Sequence, residues 1–413
     1  MKNLNRHLSR RHVLALGASA GLIGAVSPLR SAWAATSASQ KRLVVVFLRG
    51  AVDGLNVLVP HGEEAYYLAR PTIAVARPGA DHGAIDLDGH FGLHPSLAAL
   101  KPLWDEGSLA FVPASGSPDD TRSHFDAQDY MESGTPGRKV TADGWMNRLL
   151  AQLPGDPSPT RGLSFGPTLP RIFAGRESVA NIPLGRAAAA QIPLDRPLIN
   201  AAFDKLYTGQ DAMSAAYQEG IAAHKQVMSD LTTEMKEADN GAPSSQGFPE
   251  DTQHLAQLIA QTPSIALGFF ALGGWDTHVN QGAGEGQLAQ RLAPLAEGLT
   301  GLVKSLGPAY RDTVIVVISE FGRTAHENGN RGTDHGHGNV MWVMGGPVKG
   351  GKIYGDWPGL DKDQLYEGRD LAVTTDFRSV IQTLLTGHMG LTQTQAALVL
   401  PGAPAAPSVS ALI

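Results

Sequence analysis

Three uninterrupted apolar segments, each followed directly by a charged loop, constrain the fold of this chain most strongly. They cover residues 42–48, 264–272 and 314–318. Apolar runs of this length without polar alternation are typical of strands that are buried on both faces of a parallel sheet. Segments with helical spacing, such as residues 286–306, lie between them. This alternation predicts an α/β fold with a central, mainly parallel sheet sandwiched between helices.

Carboxylate and imidazole side chains follow each of these predicted strands. Asp53 comes after the first strand, Asp276 and His278 come after the second, and Glu320 comes after the third. Chemistry in open α/β sheets takes place beyond the carboxyl ends of the strands, so we expect these side chains to share one site. Residues two apart in an extended chain point the same way, so Asp276 and His278 can both reach one ion.

The glycine-rich segment GTDHGHGN carries a second pair with the same spacing, His335 and His337. Its glycines permit a close approach of the backbone to a ligand. Such donors suit zinc, manganese or iron and, with fewer histidines, magnesium or calcium. We therefore predict a divalent metal site, without a choice between zinc, manganese and calcium, whose ligand pool is Asp53, Asp276, His278, Glu320, His335 and His337.

Ser123 opens a predicted helix, SHFDAQDYMES, that stops at Gly134. A helix N-terminus stabilises negative charge, so Ser123 is the candidate nucleophile, activated by the metal. A plain N-cap serine is the simpler interpretation. His124 beside it is a possible ligand or substrate contact. Arg122 and Arg323 lie next to the predicted ligands, where a guanidinium fork either clamps a tetrahedral oxyanion or forms salt bridges with carboxylates.

The first 34 residues have the pattern of an export signal. Arg10 and Arg11 precede a short apolar stretch rich in Ala and Gly, and residues 32–34 match an A-x-A cleavage site. The stretch is too short to span a bilayer, and the twin arginines indicate the twin-arginine route. We expect a periplasmic or secreted mature protein, without a membrane span, whose partner during export is the twin-arginine translocase.

The mature chain, residues 35–413, is predicted to form a single α/β domain. Residues 195–250 are polar and helical in pattern, and we interpret them as an insertion or cap on that domain. The chain has no cysteine, which excludes cysteine nucleophiles and thiolate zinc sites. Its net charge is −6, without a basic stripe, so nucleic acid is not an expected partner.

Five motifs, in the same order along the chain, resemble the bacterial exported proteins of domain-of-unknown-function family 1501. They are RGAVDGLN, RSHFDAQDYMESG, GGWDTH, SEFGRT and GTDHGHGN. The resemblance covers nearly the whole mature chain. That family is grouped with the alkaline phosphatase-like superfamily, which includes sulfatases and cofactor-independent phosphoglycerate mutases. The resemblance implies a central sheet between helices, with metal ions at its carboxyl edge.

The resemblance also implies roles for individual residues. Asp53 matches the first metal-binding aspartate, and Ser123 falls where the superfamily nucleophile opens a helix. Asp276 and His278 match the middle Asp/His ligand pair, although their spacing is closer than is usual in the superfamily. His335 or His337 matches the late histidine ligand.

One position departs from the superfamily pattern. Glu320 stands where the aspartate of a DHG motif is expected, and Phe321 stands in place of its histidine. A phenylalanine cannot coordinate a metal, so one of two ions loses a ligand. The site then holds one metal, recruits His337 as a replacement, or is degenerate.

Two functions are compatible with these residues. The first is an exported metal-dependent hydrolase of a phosphate or sulfate ester, acting on a small or polymer-borne anionic substrate. The second is a non-catalytic periplasmic binding or assembly protein on a degenerate alkaline phosphatase-like fold. A single open cavity where the three strand ends converge favours the enzyme, whereas scattered or plugged ends favour the binding protein.

Overall fold

The computed structural model describes residues 40–139, 141–182, 184, 235–405 and 409–413. The export-signal pattern of residues 1–34 lies outside the described residues, as does residue range 195–234 of the predicted insertion. Within the described part of the chain, no helix is long and apolar enough to cross a membrane.

The described residues form a nine-stranded mixed sheet that is mainly parallel, as predicted. Its strand order is β11-β5-β10-β9-β1-β8-β6-β7, and β12 also pairs with β5. Only β10 runs antiparallel to its neighbours within this sheet. The strands are β1 (Arg42–Leu48), β5 (Leu109–Gly116), β6 (Gly162–Phe165), β7 (Ala180–Ile182), β8 (Leu267–Leu272), β9 (Thr313–Ser319), β10 (Asn339–Gly345), β11 (Lys352–Ile353) and β12 (Thr375–Asp376).

A smaller antiparallel sheet has the strand order β2-β4-β3. Its strands are β2 (Leu58–Val59), β3 (Ile85–Asp86) and β4 (Gly92–Leu93).

Helices cover both faces of the large sheet, and short 3₁₀ turns connect several of them. The α-helices of the described residues are α1 (Gly54–Val57), α2 (Glu64–Ala69), α3 (Lys101–Asp105), α4 (His124–Ser133), α5 (Trp145–Gln152), α6 (Phe248–Gln261), α7 (Gln287–Leu306), α8 (Phe377–Gly387) and α9 (Gln393–Val399). The 3₁₀ helices are Pro95–Leu100, Pro159–Arg161, Arg171–Phe173, Ser245–Gly247, Gly307–Asp312 and Ser410–Leu412.

Strand β1 explains why the sequence shows unbroken apolar runs. Val44 and Val46 face one core cluster, which includes apolar residues of α6 and α7. Leu43 and Val45 face the other cluster, which includes residues of α5, α8 and α9. Residues 43–48 of β1 are apolar and buried, because both faces of the strand pack against a hydrophobic core.

The strand directions bring five loops to one edge of the sheet. Strands β1, β8 and β9 are parallel, so their carboxyl ends lie together. Strand β10 is antiparallel to β9 and β5, so the start of β10 lies at the same edge as the ends of those two strands. The loops after β1, β5, β8 and β9 and the loop before β10 therefore meet at that edge.

Local capping agrees with the sequence pattern. The Ser123 side chain accepts a hydrogen bond from the backbone N–H of Asp126, and Asp376 caps α8 in the same way. Helix α4 ends at Gly134, whose φ of 69° lies in the left-handed region that glycine adopts without strain. The predicted starts and stops of these helices are confirmed.

His94, at the start of the first 3₁₀ helix, makes stability dependent on pH. The side chain is fully buried; Nδ1 accepts from the Ser96 N–H at 3.1 Å and Nε2 donates to the Ala283 carbonyl at 2.8 Å. Burial lowers its pKa to about 4. The unfolded chain therefore binds a proton that the folded chain does not, and stability should fall as the pH drops from about 6.5 to 4.

We expect His94→Asn to remove up to about 3 kcal/mol of this acid-induced loss of stability, since Asn can accept the Ser96 N–H but does not titrate. Urea unfolding of both proteins at pH 7 and pH 4.5 measures the effect. The other histidines are present in both proteins and cancel in the comparison. An equal acid-induced loss in the two proteins would contradict the assignment.

Candidate metal centre

Four side chains from three loops converge at the carboxyl edge of the sheet. His124 is the first residue of α4, Asp276 and His278 follow β8, and His335 precedes β10. The Nε2 atom of His335 lies 2.9 Å from Nε2 of His124 and 3.0 Å from Nε2 of His278. Asp276 Oδ1 lies 3.0 Å from His278 Nε2, and Asp276 Oδ2 lies 3.7 Å from His124 Nε2. Asp276 thus directs one oxygen toward His278 and the other toward His124, and His335 contacts both of these rings.

These residues fit a bound divalent metal. Asp276 is 1% exposed, and its Oδ2 atom is buried without a hydrogen-bond partner, which is costly for a carboxylate oxygen. Donors that surround one tetrahedral zinc ion lie about 3.3 Å apart, close to the separations of the imidazole nitrogens here. Ligand atoms of His124, Asp276 and His335 all lie within 4.8 Å of one another. His278 adds a fourth donor.

Two further carboxylates orient the imidazole rings. Glu320 Oε1 lies 2.8 Å from His124 Nδ1, and Asp334 Oδ1 lies 3.3 Å from His278 Nδ1. A carboxylate at Nδ1 favours the N–H tautomer on that side of the ring and leaves the Nε2 lone pair for a metal. His124 and His278 are thus arranged in the manner of metal-binding histidines.

The electrostatics keep the carboxylates ionised. Burial opposes ionisation of Asp276, but Arg323 and hydrogen bonds from His278 and His335 outweigh it and lower the pKa of Asp276 below its usual range. Burial likewise opposes ionisation of Glu320, and its hydrogen bond with His124 outweighs that effect, so the Glu320 pKa is lowered. The centre therefore keeps a negative charge that attracts a cation.

Protons compete with a metal for the imidazoles to different degrees. Burial lowers the pKa of His335, which favours its neutral form. Burial acts in the same direction on His278, but hydrogen bonds to Asp276 and Asp334 outweigh it and raise the pKa of His278 to about 9. Metal binding at neutral pH must therefore displace a proton from His278.

Asp53, a predicted ligand, lies in a buried ion pair outside this group. Arg70 holds both of its oxygens, at 2.6 and 3.0 Å, and Gln281 Nε2 donates to Oδ2 at 2.6 Å. Neither Asp53 nor Arg70 is exposed. The structure gives Asp53 a role in holding α2 and the loop after β1 together.

Glu320 and His337, also predicted as ligands, lie outside the group too. Glu320 is fully buried and accepts from His124, from the Gly50 N–H at 2.8 Å and from Gln128 at 3.0 Å. The His337 ring stacks on Tyr366, with 4.8 Å between the ring centroids. Of the predicted ligand pool, the structure brings together Asp276, His278 and His335.

The predicted catalytic residues have different environments. Arg323 is 1% exposed and bonds to Asp276 and to backbone carbonyls, so it cannot touch a substrate. Arg122 is partly exposed and forms ion pairs with Asp370 at 2.7 Å and Glu367 at 2.8 Å. Ser123 is exposed at the start of α4.

A cavity of about 540 Å³ opens over the centre, between α4 and residues 236–241. His124 and His335 form part of its wall, together with Arg122, Ser123 and Phe125. Residues 235–250 are the described end of the predicted insertion, and their first part thus borders the cavity. Of the loops at this edge of the sheet, those after β5 and before β10 contribute residues to the cavity lining, whereas Asp276 and His278 do not line it.

Sequence reasoning named His124 only as a possible ligand or substrate contact, outside the predicted ligand pool, and gave Asp334 no role. The available signal for His124 was its place as the first helical residue after β5, at the edge where the other ligands lie. Asp334 has no such signal, because its contact with His278 depends on the path of the loop before β10.

A matched pair of variants tests which histidine of the glycine-rich loop binds metal. We expect His335→Ala to lose bound metal, because His335 Nε2 contacts the other donors, and His337→Ala to retain it. Metal per chain, measured after equilibration with zinc, gives the result. Loss of metal from His337→Ala alone would place the centre elsewhere.

A second test separates the structural role of Asp53 from metal binding. We expect Asp53→Asn to destabilise the fold by about 3–5 kcal/mol, because Arg70 is left buried without its counter-charge, while metal content stays unchanged. Urea unfolding and metal analysis measure both. Lys41→Ala, which breaks an exposed pair with Asp312, is the control and should cost no more than about 1 kcal/mol.

The chain is similar to several solved structures at low sequence identity. A protein in the alkaline phosphatase superfamily from Vibrio parahaemolyticus shares 10% identity with a TM-score of 0.43, covering 86% of this chain and 67% of that chain. The C-terminal periplasmic domain of EcEptC from Escherichia coli, in complex with Zn, shares 10% identity with a TM-score of 0.42, covering 89% of each chain. PsFucS1 sulfatase from Pseudoalteromonas sp. shares 11% identity with a TM-score of 0.39, covering 90% of this chain and 73% of that chain.

No curated protein sequence matches the chain significantly. The family model described as "Protein of unknown function (DUF1501)" matches residues 40–401, which is most of the chain. The chain therefore belongs to the DUF1501 family.

Proposed function

We propose that this protein is an exported, metal-dependent hydrolase of phosphate or sulfate esters. One observation carries the proposal: three imidazole rings lie close to a buried carboxylate oxygen that has no hydrogen-bond partner, and two of these rings, His124 and His335, line a cavity that Ser123 also lines. A purely structural centre has no need of an open cavity beside its ligands.

The donor set favours a transition metal. Three imidazoles and one carboxylate suit zinc or manganese, whereas calcium takes oxygen ligands alone. When bound, such an ion polarises an ester oxygen and lowers the pKa of a nearby hydroxyl group. Asp276, His124, His278 and His335 are the residues that would hold it.

Ser123 is the proposed nucleophile. Its hydroxyl group lies at the N-terminus of the ten-residue helix α4, where the helix dipole stabilises negative charge. Attack of Oγ on phosphorus or sulfur forms the serine ester and breaks the bond to the leaving alcohol. The serine proton passes to solvent, and the departing oxygen takes up another. Water then hydrolyses the serine ester and releases phosphate or sulfate.

Charge at the rim of the cavity suits an anionic substrate. Arg122 lies there, although Asp370 and Glu367 share its guanidinium group. Lys236 lines the opposite side. The twin-arginine pattern of residues 1–34 supports an exported protein that engages the twin-arginine translocase. We therefore propose a periplasmic or secreted enzyme for a small or polymer-borne anionic ester.

A metal-binding protein without catalytic activity is the second candidate. It is favoured by the engagement of the proposed catalytic groups in structural contacts. Ser123 already caps α4, Arg122 is paired with two carboxylates, and Arg323 is buried beneath the centre. Such a protein would bind metal and an envelope component without turnover.

Serine substitution separates the two candidates. With zinc-loaded mature protein and aryl phosphate and aryl sulfate esters, we expect Ser123→Ala to lower kcat by about a thousandfold or more while keeping its metal. Asp276→Ala should lose both metal and turnover. Ser158→Ala removes an N-cap serine from the 3₁₀ helix Pro159–Arg161, outside the cavity lining, and should be active.

Either of two results would count against the enzyme. Normal turnover by Ser123→Ala would exclude Ser123 as the nucleophile. A zinc-loaded wild-type protein that hydrolyses neither ester would favour the binding protein.

A further inference from the structure

The buried guanidinium group of Arg323 and the contacts of the neighbouring carboxylates bear on how many metal ions the centre can hold. A second ion needs its own set of carboxylate or imidazole donors. Among the described residues, one group of three or more such donors is close enough to share an ion. The question is then whether the neighbouring carboxylates could complete a second site.

The two other strand-end carboxylates are already occupied. Asp53 gives both oxygens to Arg70 and one also to Gln281. Glu320 accepts from His124, Gln128 and the Gly50 N–H, and its second oxygen accepts from the Ser319 hydroxyl at 3.1 Å. A metal at either carboxylate would have to displace buried hydrogen bonds.

Phe321 closes the remaining space. Its ring packs against His124, with 4.7 Å between centroids, and against His335 at 5.2 Å. An apolar ring at van der Waals distance from two ligand imidazoles leaves no donor on that side of the centre.

Arg323 is buried between the loops and bonds to Asp276. Its Nε donates to the Ala51 carbonyl at 2.6 Å, Nη2 donates to the Gly50 carbonyl at 2.7 Å, and Nη1 donates to the Thr333 carbonyl at 3.1 Å. Nη2 also donates to Asp276 Oδ1. The loops after β1 and β8 and the loop before β10 therefore all hold this guanidinium group.

The two carboxylate oxygens of Asp276 have different environments. Oδ1 is bound by Arg323, whereas Oδ2 is buried without a hydrogen-bond partner. A metal ion held by Asp276 would therefore share this carboxylate with a positive charge that belongs to the protein. We infer that the centre holds a single metal ion and that the buried guanidinium group of Arg323 supplies the second positive charge; this inference rests on the proposed function.

Two consequences follow. The Arg323 charge is permanent, because a guanidinium group does not lose its proton, so it adds to the positive charge of a bound metal ion at any working pH. Glu320 acts as a positioning residue, through His124, and not as a ligand.

Metal stoichiometry is the primary test. Mature protein is stripped with a chelator, titrated with Zn²⁺ by calorimetry and analysed for metal per chain. We expect one equivalent of Zn²⁺ to bind per chain. Two equivalents would overturn the inference and leave the proposed function standing, whereas no binding would overturn both.

Glu320→Gln tests the positioning role in the cobalt-substituted protein. If Glu320 only orients His124, the Co²⁺ absorption bands should keep their positions, while the Kd for metal weakens by about 10–100-fold. Shifted bands would place Glu320 among the ligands and overturn the inference. Asp276→Asn, which alters a ligand, is the matched variant and should shift the bands.

Arg323→Gln tests the charge. With zinc retained, its affinity for inorganic phosphate or sulfate should be roughly tenfold weaker than that of the wild type, because one positive charge near the bound anion is lost. An unchanged affinity would overturn the charge role. Failure of the wild type to bind either anion would contradict the proposed function and the inference together. If Arg323→Gln does not fold, the stoichiometry and cobalt experiments still decide.

Discussion

The buried contact between Arg323 and Asp276 is the interaction on which the rest of the site depends. Parallel strands place their carboxyl ends side by side, but they leave the loops beyond them free to diverge. Arg323 bonds to backbone carbonyls of the loop after β1 and of its own loop after β9, and at the same time to the side chain of Asp276 in the loop after β8. A permanent charge buried there requires those acceptors, so the loops have to close around it. The loops are thereby held together, and Asp276 Oδ2 is directed toward His124.

A second buried ion pair, between Arg70 and Asp53, helps to hold the same loops in place. Arg70 bonds to Asp53, to Asn56 and to the carbonyls of Thr324 and Ala325, which directly follow Arg323. Because neither ion pair reaches solvent, each works as a fixed structural element and is little screened by salt. The strand ends thus carry two carboxylates of similar sequence context with different roles: Asp53 stabilises the loops, and Asp276 is directed at the centre.

The sequence predicted the sheet and part of the centre because those features depend on local pattern. Apolar runs marked β1, β8 and β9, and the i, i+2 spacing brought Asp276 and His278 together. The same spacing did not carry over to His335 and His337, because it holds only for extended chain and the glycine-rich loop turns. The backbone of His335 forms an antiparallel β-bridge with that of Arg323, whereas the ring of His337 stacks on Tyr366. The role of Asp53 depends on Arg70, 17 residues away, and no local pattern reveals such a partner.

Phe321, which stands where the sequence resemblance led us to expect a histidine, becomes intelligible in this setting. Loss of one ligand alone would leave a second ion weakly held, and an unpaired carboxylate at position 320 would be costly to bury. Here Phe321 packs against the imidazoles, and Glu320 is turned to orient His124, which the helix α4 brings in from the far side. The roles of Glu320 and Phe321 therefore depend on the position of His124, which both residues contact. Replacing Phe321 with histidine would place a polar ring beside Ala51 and Ala127 without freeing a carboxylate, so it would not by itself create a two-ion centre.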